Sequence, residues 1–309
     1  MCKLPLDFVG VAFSAFHTTR ERVAQNASLR YLGGEETIMR AFLRAVAIAS
    51  TAFLIPAAQG AVIAVDNADN ATYSGGFSAG QNGGSGYTAV STLDNNGGGT
   101  FLVNAASGGR QIEGAASFGL FSGGTAGSGS GFSNARPLAV TLTGNNSYNY
   151  TVLGRSDDDN AQGFTGFNLK SIKGTTFSSG ELLSFGLAPA QGNNRVAVTD
   201  STGIHTLAIG TDTELRGAVI QFDVTFNPGL GTYSLTATDT GNSQSGTISG
   251  SLDASNTSVA SLGFANFNSG NGQNFIFDVP TIVPEPVGLS IVGLAVMGLM
   301  TRRRRATSV

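Results

Sequence analysis

From about residue 100 to residue 280, apolar side chains recur at every second position over short runs, each closed by Gly, Ser, Asn or Pro. The clearest run sets Ile220, Phe222, Val224 and Phe226 against Gln221, Asp223 and Thr225. Asn227-Pro228-Gly229-Leu230-Gly231 then leads into Tyr233, Leu235 and Ala237, alternating with Ser234, Thr236 and Thr238. Period-two alternation on both arms of a Pro-Gly loop is a hairpin pattern. Comparable runs are Thr100–Val103, Ala116–Phe121, Leu138–Thr143, Tyr148–Leu153, Phe164–Ile172 and Leu182–Leu187, followed by Val196–Thr199, Thr206–Ile209, Thr247–Ser251, Ser258–Phe267 and Asn274–Val279. No window carries the 3.6-residue stripe of an amphipathic helix. About a dozen short strands at roughly ten-residue spacing predict an all-β body over residues 61–280, an antiparallel β-sandwich of jelly-roll type with Phe side chains as its core. The segment Asp66–Gly86 has no alternation and is expected as a long, structured loop or edge.

Two continuous apolar stretches flank this body. In the first, Arg40 and Arg44 precede Ala45–Ile55, which carries no charge, and Pro56 and Ala57-Ala58-Gln59-Gly60 follow. A basic start, a short apolar centre and small residues at the exit predict a secretory signal peptide over 39–60, cleaved between Gly60 and Ala61. Residues 1–38 show no sustained period, and Met39 stands immediately before the basic start, so 1–38 is expected to be upstream sequence outside the true protein. The second stretch, Val287–Met300, follows Val283-Pro284-Glu285-Pro286 and precedes Thr301 and Arg302-Arg303-Arg304-Arg305. As a helix its apolar length is roughly 22 Å against a hydrocarbon core of about 30 Å, short for a permanent span. Snorkelling arginines could still hold it in a membrane, with the basic end cytoplasmic and the body outside.

Composition narrows the function classes. Gly is 44 of 309 residues, charged residues are 12%, Trp is absent and Cys occurs once, at Cys2. Residues 61–280 hold seven Lys/Arg against fifteen Asp/Glu, a net charge of −8. A body without a basic field does not hold a polyphosphate, which disfavours nucleic acid as a partner. The lone Cys removes disulfides, a thiol nucleophile in the body and a Cys/His zinc cage.

The order Val283-Pro284-Glu285-Pro286, short apolar helix, Arg302–Arg305 resembles the sorting signal of PEP-CTERM proteins of Gram-negative bacteria. That resemblance implies a domain 281–309 in which Pro284, Glu285 and Pro286 are recognised by an exosortase, a membrane transpeptidase that processes the tail. It also implies export through the secretion machinery, inner-membrane anchoring before processing, and a final place on the cell surface or in an exopolysaccharide matrix. Further up the chain, an Asp-Asn-Ala near the start of Asp66–Gly86, then Gln81-Asn82-Gly83-Gly84-Ser85-Gly86-Tyr87, Ser117–Ser122 and Ala135-Arg136-Pro137-Leu138, resemble a group of surface proteins of that class, with Val90 where relatives have Trp. This second likeness implies no particular activity.

Several chemistries can be weighed from the residues. Asp157-Asp158-Asp159-Asn160 could offer hard oxygen ligands to Ca²⁺, but it lacks the Asp-x-Asp-x-Asp-Gly spacing, and a solvated acidic loop is the simpler reading. Glycoside hydrolysis needs two carboxylates across a cleft. The body has only Glu113, Glu181 and Glu214, with Asp212-Thr213-Glu214 the nearest thing to a pair. His205 has Asp200 and Ser201 nearby, but no Gly-x-Ser-x-Gly turn presents a nucleophile. The residues therefore point to a non-enzyme with neither catalytic, cofactor nor metal site: an envelope or matrix protein with a structural role in exopolysaccharide or biofilm. The alternative is a lectin-like carbohydrate-binding module delivered by the same route, a reading weakened by the absence of Trp and by the few tyrosines, Tyr73, Tyr87, Tyr148, Tyr150 and Tyr233, available as sugar platforms.

Overall fold

Alternating apolar positions force a strand to bury one face, and two such sheets satisfy each other by packing face to face. The computed structural model describes residues 61–108, 110–124, 130–157, 163–188, 195–210, 215–253, 258–267 and 274–285. The expected signal helix, Gly60, Pro286, the C-terminal helix and Arg302–Arg305 lie outside these residues.

Fifteen strands form among the described residues. The first half of the chain gives β1 (Ala64–Val65), β2 (Ser91–Asn96), β3 (Gly98–Asn104), β4 (Ala116–Ser122), β5 (Gly131–Thr143), β6 (Tyr148–Ser156) and β7 (Phe164–Lys170). The second gives β8 (Glu181–Ala188), β9 (Arg195–Asp200), β10 (Gly203–Leu207), β11 (Ile220–Asn227), β12 (Thr232–Asp239), β13 (Ser245–Ser251), β14 (Ser258–Phe267) and β15 (Asn274–Pro284). One sheet runs β13-β12-β11-β6-β15-β4-β3, with β1 also on β15; the other runs β10-β9-β8-β7-β14-β5-β2. All pairings are antiparallel. The chain changes sheet at β1–β2, β2–β3, β4–β5, β5–β6, β6–β7, β10–β11, β13–β14 and β14–β15, the repeated crossing that a jelly-roll winding requires. No α-helix occurs among the described residues, and none of their helices is long and apolar enough to cross a membrane.

Phenylalanine fills the space between the sheets. Phe167 of β7 lies with its ring centroid 5.1–6.0 Å from those of Phe185, Phe222, Phe264, Phe275 and Phe277, so one side chain ties five strands across the interface. Fully burying each such ring contributes about 1.5–3 kcal/mol.

The hairpin Ile220–Ala237 forms as alternation predicts, with Ile220 opposite Asp239. Two strands escape the period-two rule for opposite reasons. The edge strand β2 is polar (Ser-Thr-Leu-Asp-Asn-Asn) and has no apolar face to read. The first half of β5 buries Ser133, Asn134 and Arg136 and contains Pro137. Proline donates no ladder hydrogen bond; here it faces Ser261, where β14 changes register between Val259 and Ser261. At the other end, β15 extends the sandwich beyond residue 280 to Pro284.

Asp66–Gly86 is a structured loop with one short 3₁₀ turn, Ala71–Tyr73. It is held by a buried polar knot. Arg136 of β5 reaches Asp66, donates through its Nη1 to the Thr88 carbonyl at 3.0 Å and through its Nη2 to Asn82 Oδ1 at 3.1 Å, and lies 5.0 Å from the Tyr87 ring centre. Tyr73 donates its hydroxyl to Asp66 and accepts from the Gly83 amide at 2.9 Å. A Cβ on Gly84 would stand 2.9 Å from Arg136 Nη2 and 2.7 Å from the Val65 carbonyl, so the close approach needs glycine. Asp66, Gln81–Tyr87 and Ala135–Leu138, scattered in the sequence, are thus one structural staple.

Candidate functional site on the outer face of the second sheet

The residues singled out in the sequence disperse. His205 sits near the surface with Nε2 3.1 Å from Asp200 Oδ1 and 2.9 Å from Thr202 Oγ1, while the Ser201 hydroxyl turns away to the Ser251 carbonyl at 3.2 Å. No Ser-His-Asp relay forms. Burial works against the Asp200 charge, but hydrogen bonds from Thr202, Tyr233 and His205 outweigh it and draw the carboxyl down to about 2. A group ionised throughout the physiological range gives no proton to a leaving group. Asp200 lines a small cleft of about 270 Å³ together with Glu181 and Asp253. Glu113 is exposed on a loop, and Asp212 and Glu214 lie outside the described residues. Asp157 is ion-paired with Arg155 at 3.0 Å and Arg110 at 3.4 Å; Asp158, Asp159 and Asn160 lie outside. Among the described residues no group of three or more His, Cys, Asp or Glu side chains is placed to hold a metal.

The tyrosines are not available as sugar platforms. Tyr73, Tyr87, Tyr148, Tyr150 and Tyr233 are all buried, so none offers a stacking face to a sugar. Each falls on the inward side of a strand or in the staple, where the ring adds core area.

Of the sorting box, Val283 and Pro284 pair with Asn149 and Tyr148 of β6 at the end of β15. Glu285 follows in the same line: its amide donates to the Ser147 carbonyl at 2.9 Å, and its carboxylate accepts from Thr225 Oγ1 at 3.1 Å. Beside it, β1 pairs Ala64 with Ile282, so the two ends of the described chain meet on β15.

The two outer faces of the sandwich differ in character. On the first sheet, β12 and β13 place Thr232 opposite Ser251, Ser234 opposite Ser249, Thr236 opposite Thr247 and Thr238 opposite Ser245. Hydroxyls bond across two of these rungs, at 2.9 Å for Thr236–Thr247 and 3.0 Å for Ser249–Ser234. This end of the face is a surface of small hydroxyl residues; aromatic rings occur at its other end, where Phe101 of β3 and the exposed Phe121 of β4 pack together.

On the second sheet the outer face carries a cleft of about 400 Å³, lined by Asp94 and Asn96 of β2, Gly131 of β5, Phe267 of β14, and Thr176, Phe177 and Ser178 from the β7–β8 connection. Asp94 is anchored: its Oδ2 accepts from the Phe177 amide at 2.8 Å and from Ser133 Oγ at 2.7 Å. The Phe177 and Phe267 rings meet edge to face at 5.5 Å, and Phe164 stands 6.0 Å from Phe177. A preset carboxylate, an amide side chain and partly accessible aromatic rings offer oriented hydrogen bonds beside apolar ring faces. One carboxylate in this cleft does not supply the pair that glycoside hydrolysis uses.

None of these residues stands out in the sequence. Asp94 lies on a polar edge strand and Phe267 looks like another core position. Phe177 offered the one local signal: a single aromatic within Thr175-Thr176-Phe177-Ser178-Ser179, a loop that a ring has no local reason to occupy.

No protein-family model matches this chain, and no curated protein matches it. Among solved structures the chain is similar to the T. cruzi calreticulin globular domain, at 10% identity over 64% of this chain and 83% of that one, with a TM-score of 0.43. It is similar to lectin II from Ulex europaeus at 11% identity over 68% and 96%, with a TM-score of 0.42. A third is an endo-β-1,4-glucuronan lyase from the fungus Trichoderma reesei, at 10% identity over 64% and 91%, with a TM-score of 0.43. Function is therefore read from the cleft's own residues.

Proposed function

We propose that this protein is an exported, non-catalytic surface protein whose sandwich binds glycan in the cleft between Asp94 and Phe267. The observation that carries the reading is that cleft itself: Asp94 is already oriented by Ser133 and Phe177 beside two aromatic rings. Sugar rings present apolar C–H faces and polar rims, and this mixture matches both. Delivery follows from the two ends: a signal peptide cut before Ala61, then a tail in which Pro284-Glu285-Pro286 is processed by an exosortase while the apolar helix and Arg302–Arg305 hold the chain at the inner membrane. The destination is the cell surface or an exopolysaccharide matrix.

The test is a glycan array probed with the purified protein and with Asp94→Asn and Phe267→Ala variants. Binding by the wild type that both variants lose supports the cleft. Binding that both retain moves the site elsewhere, and no binding by any form removes the glycan reading.

A purely structural matrix role is the second reading, favoured by the ring-free hydroxyl face of β12 and β13. A protein that binds no glycan yet is retained in the matrix would support it.

A further inference from the structure

The connection between β7 and β8 doubles back as a strap over the outer face of the second sheet. Gly174 and Gly180, at φ 68° and 66°, turn the chain at either end of it. Between them Phe177 is buried, its neighbours Thr176 and Ser178 exposed. The backbone of Phe177 is held by side chains that point outward from the sheet. Its carbonyl accepts from Asn168 Nδ2 at 2.7 Å and from Lys170 Nζ, its amide donates to Asp94, and the Thr176 carbonyl accepts from Lys170 Nζ at 2.9 Å.

Beneath the strap the face carries a strip of small residues. In register across five strands lie Ala197, Gly186, Gly166, Ala265 and Ser133, and the row ends at Asp94 of β2. Phe164 and Phe267 are register partners next to this row, and the Phe164 ring lies over Gly166, where a Cβ would stand 2.7 Å from it. On the other side Asn168 is paired with Ser184. These last two carry the decisive detail: Asn168 Oδ1 and Ser184 Oγ are buried and have no hydrogen-bond partner. Folded proteins rarely leave such atoms unbonded, and these two are register neighbours on the face that the strap crosses, Asn168 Oδ1 lying over Gly263 beside the Phe177 ring.

We propose that the open cleft at Asp94 is one end of a longer groove for a neutral polysaccharide chain, and that Phe177 occupies the place of one of its sugar rings. The inference rests on the glycan reading above. The Phe177 residue makes contacts a pyranose could make: an apolar ring packed edge to face on Phe267 and tilted against Phe164, a backbone donor to Asp94, and a backbone acceptor for Asn168 and Lys170. A sugar adds what the phenyl ring lacks, hydroxyls for Asn168 Oδ1 and Ser184 Oγ. A polymer then displaces the strap, whereas a monosaccharide uses the open end alone. The chain is neutral because the groove presents one carboxylate, Asp94, and one ammonium, Lys170, which balance and favour neither an acidic nor a basic polymer.

Affinity gels containing mixed-linkage β-glucan, galactomannan or dextran test this with the wild-type protein and Phe177→Ala, each checked for an unchanged circular dichroism spectrum. Removing the plug should strengthen retardation about tenfold in apparent Kd, because the binding-competent state no longer competes with the strap. A second measurement needs no variant: saturating polymer should speed hydrogen exchange of the strap amides 173–180 in the wild type. Retardation of Phe177→Ala equal to or weaker than the wild type, or strap amides that become more protected, would overturn the displacement while leaving glycan binding standing. No retardation of either form removes both.

Discussion

Arg136 and Asp66 form an ion pair in which each side chain is only 1% exposed, with Nη2 2.5 Å from Oδ2. Burial by itself raises the Asp66 pKa, and the Arg136 charge and the Tyr73 hydroxyl oppose it. The same burial pushes the Tyr73 hydroxyl up to about 12, keeping it a donor. A pair of this kind adds little net stability over an apolar pair of equal volume, yet breaking it leaves a buried charge uncompensated.

The Asp66→Asn variant should therefore lose about 3–5 kcal/mol in urea unfolding, because the Arg136 guanidinium stays buried without its counter-charge. Replacing both residues, Asp66→Asn with Arg136→Met, should cost less than the sum of the single changes. A single variant within about 1 kcal/mol of wild type would mean that the Thr88 and Asn82 oxygens and the Tyr87 ring suffice for the cation.

Asp278 gives a pH dependence of defined sign. It is almost fully buried, and burial raises its carboxyl to about 6 despite hydrogen bonds from Ser117 and the Val279 amide. Because the folded state holds this proton more tightly than the unfolded chain, its contribution is present below about pH 4 and is lost as pH rises through 6. Asp278→Asn should thus raise the melting temperature relative to wild type at pH 7–8, and the difference should shrink towards pH 4. Asp200, held near 2, acts in the opposite sense and only at lower pH. A difference between the two proteins that stays constant from pH 4 to 8 would contradict the shift.

The tail yields a sorting prediction. Glu285→Ala, or deletion of Arg302–Arg305, should leave export intact and block tail processing, so the protein accumulates full-length in the membrane fraction. Immunoblots of fractionated cells distinguish this outcome from normal release, which would make the box a linker. Since Glu285 also accepts from Thr225, a Thr225→Val control separates that contact from recognition of the box.

Alternation of apolar residues alone determined that this chain builds an all-β sandwich, because a strand with one apolar face has to cover it. The hairpin Ile220–Ala237 and the strands β12 and β14 were legible for that reason. Where a strand buries polar atoms the rule fails: alternation marks this strand only from Leu138, whereas β5 begins at Gly131 and buries Asn134 and Arg136. Only the tertiary structure showed that Asp66, Tyr73, Tyr87 and Arg136 form one staple, since their partners are up to some seventy residues apart and nothing in local spacing links them. The cleft is of the same kind. Asp94, Phe177 and Phe267 come from an edge strand, a loop and a strand near the end of the sandwich, and they meet because β2, β5 and β14 lie side by side. Periodicity encodes which way a side chain faces. Which distant side chains share that face is set by strand order, and strand order is decided by the long-range pairing that closes the two sheets.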